Sequence, residues 1–185
     1  MMDELSLNIL DIAQNSIAAE ATLVEIDVTE DDGSDSLVIR VRDNGKGMSE
    51  EFLKEVQNPF VTTRNTRKIG LGISFIKEAA ELTGGSIDLE STLGVGTTIS
   101  ARFIKSSFDC QPIGDLTGTI VALVSLNPAI DFEMRYTVNG ETFEFTTQEV
   151  KVILGDDVQL NQPSVVVFLT EYIKENIQNL SGGAT

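Results

Sequence analysis

The sequence predicts an α+β fold: a two-layer sandwich whose antiparallel or mixed sheet carries its helices on one face, followed by a small α+β extension. Three observations predict it. Residues 3–19 and 71–82 repeat apolar side chains at helical spacing. Residues 22–29 and 37–43 alternate apolar and polar residues, as half-buried strands do. Helices and strands follow one another in an order that a sheet with helices on one side buries most simply.

The elements can be justified in turn. In the first helix Leu5, Ile9, Ile12, Ala13 and Ile17 form the apolar stripe, and the acidic Asp3 and Glu4 stand where a helix dipole favours them. Val24, Ile26 and Val28 share one face of the next run. After the turn cluster Asp31-Asp32-Gly33-Ser34-Asp35, Leu37, Ile39 and Val41 share one face of the following run, with Arg40 and Arg42 on the other. The two runs read as an antiparallel pair. Ser49 is a good N-cap for a short helix, with Glu50 and Glu51 in its first turn. Residues 58–70 read as polar and irregular. The 71–82 helix carries Leu71, Ile73, Ile76, Ala79, Ala80 and Leu82 and ends at Gly84-Gly85, as a C-cap would. Residues 86–91 and 97–104 make a second strand pair, joined by a turn through Gly94 and Gly96.

The segment Lys105 to Pro112 is small, polar and ends in proline, which marks a boundary. It divides the chain into residues 1–105 and a small C-terminal α+β part, 106–185. In the second part residues 118–126 read as a strand. Residues 131–147 read as a hairpin about Asn139-Gly140, a short helix follows at 147–154, and a last helix starts at Pro163 and ends at Gly182-Gly183. This part is long enough for a separate module or for an extension of the first sheet. Docking or dimerisation is its expected role. Asp156-Asp157 reads as a solvated turn, and Cys110 has no activating neighbour in the sequence.

Composition narrows the function. The 185 residues hold 13 Lys+Arg against 29 Asp+Glu, a net charge of −16. Nucleic acid and anionic membrane are poor bulk partners for such a chain, since both demand a cationic surface. Histidine is absent. That excludes histidine acid–base catalysis, His-ligated zinc, Ser-His-Asp triads and a phosphorelay through a histidine of these residues. The single cysteine makes no internal disulfide. The start Met1-Met2-Asp3-Glu4 lacks a signal peptide's basic and apolar regions, and no apolar run reaches the roughly 18 residues of a membrane span. A cytoplasmic location is the expectation.

Three clusters of residues carry chemistry. Asn8, Asp11 and Asn15 fall on one face of the first helix, apart from its apolar stripe, and offer oxygen ligands for a hard cation and a candidate base. On spacing alone a solvated polar face is the default reading. Asp43 has the parity of Leu37, Ile39 and Val41, so its carboxylate points inward at a strand end, where it needs a donor. Asn44-Gly45-Lys46-Gly47-Met48 follows, and its glycines permit a sharp turn and the close approach of a ligand. This is no calcium loop, because Gly45, Gly47 and Lys54 occupy ligand positions. Neither Gly45-x-Gly47 nor Gly70-x-Gly72 has the third glycine of a dinucleotide fingerprint, and no Walker-type run occurs. Gly70-Leu71-Gly72 opens a helix whose free N–H groups suit phosphates, just after the basic cluster Arg64, Arg67 and Lys68. A long irregular loop at that place is either a functional lid or a solvated surface loop.

The order and spacing of these motifs resemble the GHKL ATP-binding domain of gyrase B, the large heat-shock chaperones, sensor histidine kinases and mismatch-repair ATPases, whose nucleotide site is the Bergerat fold. The resemblance covers residues 1–105. Asp11-Ile12-Ala13-Gln14-Asn15-Ser16 looks like the N box, and Asp43-Asn44-Gly45-Lys46-Gly47-Met48 like the first glycine box. Asn58-Pro59-Phe60-Val61-Thr62-Thr63-Arg64 resembles the phenylalanine-centred stretch of histidine kinases. Gly70-Leu71-Gly72-Ile73 resembles the second glycine box and Gly94-Val95-Gly96-Thr97-Thr98 the closing box.

The resemblance implies ATP and Mg²⁺ as ligands. It implies that Asn15 ligates the metal and that Asp43 accepts from the adenine amino group, directly or with a water held by Thr97. Gly45 and Gly47 would bring the backbone close to the base. Gly70, Leu71 and Gly72 would present N–H groups to the phosphates, and Arg64 and Lys68 would close over them. Asp11 stands where hydrolysing relatives carry a Glu that activates water. It is one methylene shorter, which puts hydrolysis in question, since catalytic positioning is sensitive to about 1 Å. The helical hairpin that bears the histidine in sensor kinases is also missing. The expected function is therefore that of a histidine-kinase-like protein in signal transduction that phosphorylates or regulates a partner protein in trans, as anti-sigma-factor kinases do. Two alternatives stand beside it: a slow ATPase acting as a nucleotide switch, or a non-catalytic, anti-sigma-like binding module. A homodimer is compatible with each.

Overall fold

The computed structural model describes residues 4–57, 72–155 and 158–182. The described elements are α1 (Leu5–Ala18), β1 (Leu23–Asp31), β2 (Ser36–Asp43), α2 (Glu50–Gln57), α3 (Gly72–Leu82), β3 (Ser86–Thr92), β4 (Gly96–Ile104), α4 (Leu116–Leu126), β5 (Asp131–Val138), β6 (Glu141–Thr146), α5 (Thr147–Leu154) and α6 (Pro163–Gly182). The strands form one mixed sheet of order β3-β4-β2-β1-β5-β6. Neighbours are antiparallel except β1 and β5, which run parallel with Ile26 opposite Met134.

Alternation decides which face is buried. Val24, Ile26 and Val28 of β1, Leu37, Ile39 and Val41 of β2, and Ile99, Ala101 and Phe103 of β4 all point into the core. They meet Leu5, Ile9, Ile12 and Ala13 of α1 and Ile76, Ala79 and Ala80 of α3. Phe132, Met134, Tyr136, Phe143 and Phe145 continue the same face through β5 and β6, covered by Leu169 and Ile173 of α6. The residues after 105 thus extend the first sheet and its core. Of the two arrangements open to them, module or extension, the strand order shows the extension.

Local signals act as their chemistry requires. Ser49 Oγ accepts from the Phe52 N–H at 3.3 Å and caps α2. Gly84, at φ +84°, lets the Gly85 N–H reach back to the Ala80 carbonyl at 3.0 Å and close α3. Asn139 and Gly140 both take positive φ in a two-residue hairpin loop between Val138 and Glu141.

One expectation needs correction. Residues 118–126 are not a strand: they lie within helix α4. The run Leu116-Thr117-Gly118-Thr119-Ile120-Val121-Ala122-Leu123-Val124-Ser125-Leu126 is apolar almost all round and rich in β-branched residues, which a buried strand would share. Tertiary position decides between them. The segment lies in the connection into β5, which pairs parallel to β1, and parallel pairing demands a crossover that is usually helical. Asp115 caps it, accepting from the Gly118 N–H at 2.8 Å. The start of α1 is tied down by distant residues. Glu4 does not cap its own helix. Its carboxylate accepts from the Asp115 N–H at 3.1 Å and from the Ser6 hydroxyl at 3.3 Å, while the Leu5 and Ser6 N–H groups bond the carbonyls of Pro112 and Ile113. The open end of α1 is closed by a segment more than 100 residues away in sequence.

Candidate functional site

The site is assembled where α1 meets the ends of β2 and β4. Asp43 closes β2, and its parity turns the carboxylate inward, 9% exposed. The carboxylate is held by three donors. Ser16 Oγ donates to Oδ2 at 2.7 Å, the Gly45 N–H to Oδ1 at 2.9 Å, and the Thr97 N–H to Oδ1 at 3.3 Å. A carboxylate offers about four acceptor positions. Three are used here, and the remaining one lies on Oδ2.

Thr97 stands directly across the ladder from Asp43, and Ser91 across from Thr97. The Thr97 hydroxyl is 2.9 Å from Ser91 Oγ, which also accepts from the Met48 N–H at 2.9 Å and approaches the Gly96 carbonyl at 3.1 Å. Four segments therefore meet at one carboxylate and one pair of hydroxyls. Asn44 braces the turn from outside. Its Oδ1 accepts from the Thr22 and Leu23 N–H groups at 2.8 and 2.9 Å.

The glycines are required by close backbone approach. A Cβ on Gly45 would lie 2.7 Å from the Ala19 carbonyl oxygen and 3.0 Å from Asp43 Oδ1. Gly47, at φ +63°, would place one 2.0 Å from the Thr92 carbonyl, so the loop is clamped between α1 and the β3–β4 turn. At the first residue of α3, a Cβ on Gly72 would lie 2.7 Å from Asp11 Cβ. Gly72 is thus packed directly on the candidate base.

Along α1 the polar face is only partly as spacing suggests. Asp11 and Asn15 are half-buried, but Asn8 is 1% exposed, and its Oδ1 has no partner among the described residues. It belongs to the interior rather than to a solvated face. The structure brings Asp43, Gly45, Gly47 and Thr97 together, and α1 connects them through Ser16 and Asn15 to Asp11 and Gly72. Arg64, Lys68, Gly70 and Leu71 lie outside the described residues, as do Asn58 to Thr63 and Asp156-Asp157. The sequence motifs assign no role to Ser16 or Ser91. The signal for Ser16 was available: it continues the buried stripe of Ile9, Ile12 and Ala13, and a polar residue there needs a partner.

No group of three or more His, Cys, Asp or Glu side chains converges to hold a metal among the described residues. Burial pushes the Cys110 thiol up, with Glu30 and Asp35 adding to the effect, so it is no thiolate nucleophile. No helix of the described residues is long and apolar enough to cross a membrane.

The family model described as "Histidine kinase-, DNA gyrase B-, and HSP90-like ATPase" matches residues 1–107. A putative sensor protein of Shewanella frigidimarina is 29% identical over 109 residues, 58% of this chain and 16% of that protein. The sensor histidine kinase YvrG of Bacillus subtilis is 32% identical over 95 residues, 49% of this chain and 16% of the kinase. The histidine protein kinase DivJ of Caulobacter vibrioides is 33% identical over 98 residues, 51% and 16% respectively. The chain thus spans less than a fifth of the length of these relatives. Among solved structures, the MutL ATPase domain of Aquifex aeolicus complexed with ADP superposes with a TM-score of 0.50 at 15% identity, covering 83% of this chain and 70% of that one. At that identity the likeness is one of fold.

Proposed function

Because the chain belongs to the family of histidine kinase-, DNA gyrase B- and HSP90-like ATPases, with residues 1–107 as its ATP-binding domain, we propose that it binds Mg²⁺·ATP at the α1–β2–β4 junction and acts on a partner protein in trans. The observation that carries the reading is the unused acceptor position on Asp43 Oδ2. A buried carboxylate with three acceptor positions filled and one left can take one of the two N–H groups of an adenine amino group. Ser16 and the Gly45 and Thr97 N–H groups fix the carboxylate's orientation before the ligand arrives.

The donor set also fits Mg²⁺. This ion keeps several waters and takes phosphate oxygens with one or two protein ligands, so it needs no all-protein cage. Asn15 supplies an amide oxygen one residue from Ser16, on the same helix that aims Ser16 at Asp43. When bound, Mg²⁺·ATP supplies a transferable γ-phosphoryl group. The chain's own part is to hold the base through Asp43 and Thr97, to ligate the metal through Asn15, and to offer the phosphates backbone N–H groups at Gly72, where α3 begins, with Gly70 and Leu71 as the further candidates. Arg64 and Lys68 would neutralise phosphate charge. Asp11 is the candidate base, for a water or for an acceptor hydroxyl.

Transfer in trans is favoured by the absence of histidine from all 185 residues, which leaves no acceptor of the sensor-kinase type among them. Residues 106–185 are assigned to docking of that partner, and a cytoplasmic setting suits it. Incubation with labelled ATP and the proteins encoded beside it should label one of those proteins. No labelled partner, with ATP still bound, would remove the kinase claim. A slow ATPase switch is the second reading, supported by Asp11 at the position of the hydrolytic base. There Asp11→Asn should abolish phosphate release while binding measured by calorimetry persists. Full retention of turnover would exclude Asp11 as the base. If neither transfer nor turnover occurs and a partner's affinity differs between ATP and ADP, the non-catalytic module remains.

A further inference from the structure

Three residues near strand ends stand in one row across the sheet: Ser91 on β3, Thr97 on β4 and Asp43 on β2. Ser91 shares the parity of Ile87 and Leu89, and Thr97 that of Ile99, Ala101 and Phe103. Both side chains therefore turn to the helix-covered face, as the Asp43 carboxylate does. Ser91 stands one strand behind Thr97 and two strands from Asp43.

Ser91 Oγ has three polar neighbours: the Met48 N–H at 2.9 Å, the Gly96 carbonyl at 3.1 Å and the Thr97 hydroxyl at 2.9 Å. Counting protons gives each bond its direction. A serine hydroxyl carries one proton and two lone pairs. The Met48 N–H can only donate, so it takes one lone pair. The Gly96 carbonyl can only accept, so it takes the proton. One lone pair of Ser91 is left, and Thr97 fills it only by donating. Every hydrogen-bonding position of Ser91 is then used, and the Thr97 proton is committed away from Asp43.

Granted the nucleotide site proposed above, on which this rests, we infer that Ser91 is a positioning residue: by holding the Thr97 proton it makes Thr97 a pure acceptor, so that Asp43 and Thr97 together select a 6-amino over a 6-keto purine. Among the described residues Ser91 is the one partner of the Thr97 hydroxyl, whose two lone pairs stay open. Asp43 Oδ2 keeps one acceptor position as well. A 6-amino group brings two N–H groups to these acceptors. A 6-keto oxygen brings only lone pairs, with no proton to share. A water bridging Oδ2 and Thr97 changes nothing, because it spends both its protons there and offers the base lone pairs alone. A site built to accept a hydrogen bond rejects the analogue that lacks the donor, since its own polar groups are left unpaired.

Removal of the Ser91 hydroxyl undoes this polarity. In Ser91→Ala the Thr97 hydroxyl is free to turn. It can then donate to a keto oxygen, or to Asp43 Oδ2 in competition with the amino group. The Met48 N–H loses its partner too, but a loosened glycine loop weakens both bases alike.

Calorimetry with Mg²⁺·ATP and Mg²⁺·ITP reads the effect as a ratio of two affinities. The wild type is expected to prefer ATP, and Ser91→Ala to cut that preference about 5- to 10-fold, the worth of roughly one hydrogen bond. Ser91→Thr, which keeps the hydroxyl, should restore it. In a Thr97→Val background, Ser91→Ala should leave the ratio unmoved, because the hydroxyl that Ser91 orients is gone. Circular dichroism establishes that each variant folds. A wild type that binds neither nucleotide removes the nucleotide site itself, and the role of Ser91 with it. A wild type that binds ATP without preferring it to ITP overturns the role of Ser91 alone. So does a Ser91→Ala protein in which both affinities fall by one factor, or a change in ratio that persists without the Thr97 hydroxyl.

Discussion

Ser16 donates its hydroxyl to Asp43 Oδ2 at 2.7 Å across 27 residues of sequence. This bond ties the helix that carries Asn15 to the strand end that carries the candidate adenine acceptor. Asp43→Asn replaces one acceptor oxygen with an NH₂ group facing existing donors, and it removes the charge. Loss of a hydrogen bond to a charged group is worth about 1.5–3 kcal/mol, so ATP affinity should fall on the order of 10- to 100-fold by calorimetry. Ser16→Ala should weaken binding less, since Gly45 and Thr97 still hold the carboxylate. Unchanged affinity in Asp43→Asn would refute the assignment.

The glycines of the closing turn should differ sharply in tolerance. Gly96, at φ +136°, would place a Cβ 1.9 Å from the Asp43 carbonyl oxygen. Gly94, at φ +77°, has nothing within 4 Å of that position. Gly96→Ala should cost about 2–5 kcal/mol of strain and overpacking. Gly94→Ala should cost only the left-handed penalty of about 1–2 kcal/mol. Urea midpoints of the two variants decide it.

Asp131 staples the start of β5 to α5. Its carboxylate accepts from Lys151 Nζ at 2.7 Å, Gln148 Nε2 at 3.1 Å and Thr147 Oγ1 at 3.3 Å. Burial raises its pKa, but Lys151, Gln148 and Thr147 together outweigh burial and hold it below the ordinary 3.8. A carboxylate with a depressed folded-state pKa contributes its full stability above the unfolded value and loses it as pH falls through the folded one. Asp131→Asn should therefore lower stability by about 1 kcal/mol at neutral pH. Urea titrations at neutral pH and near pH 3 should show that deficit shrinking with acid.

Phe132 is 1% exposed and pairs with Val24, the neighbour of Asp43 on the other side of β2. Phe132→Ala should cost about 3–5 kcal/mol. Because β5 continues the sheet of β1, hydrogen exchange should show amides of β2 and β6 losing protection together. Loss confined to residues after 105 would mean that the two parts unfold separately.

Much of this protein could be read before any coordinates. The alternating runs 22–29 and 37–43, the helical stripe of Leu5, Ile9 and Ile12, and the Asn139-Gly140 turn each report local physics, because side-chain period and turn chemistry act over a few residues. The inward parity of Asp43 is of the same kind. So is the absence of histidine, which limits the chemistry whatever the fold.

Long-range contacts supplied the rest. Residues 116–126 are a helix because a parallel β5 requires a crossover, and an apolar run does not reveal which strand will follow it. Asn8 is interior, and Glu4 bonds Asp115 as well as Ser6 of its own helix, since burial and end contacts depend on what arrives from elsewhere in the chain. Spacing placed an unpartnered carboxylate at position 43. Only the meeting of α1, β2 and β4 gave it three donors and left one acceptor position open. The alignment of Ser91 with Asp43 likewise exists only through β4, whose register joins two strands that share no local sequence.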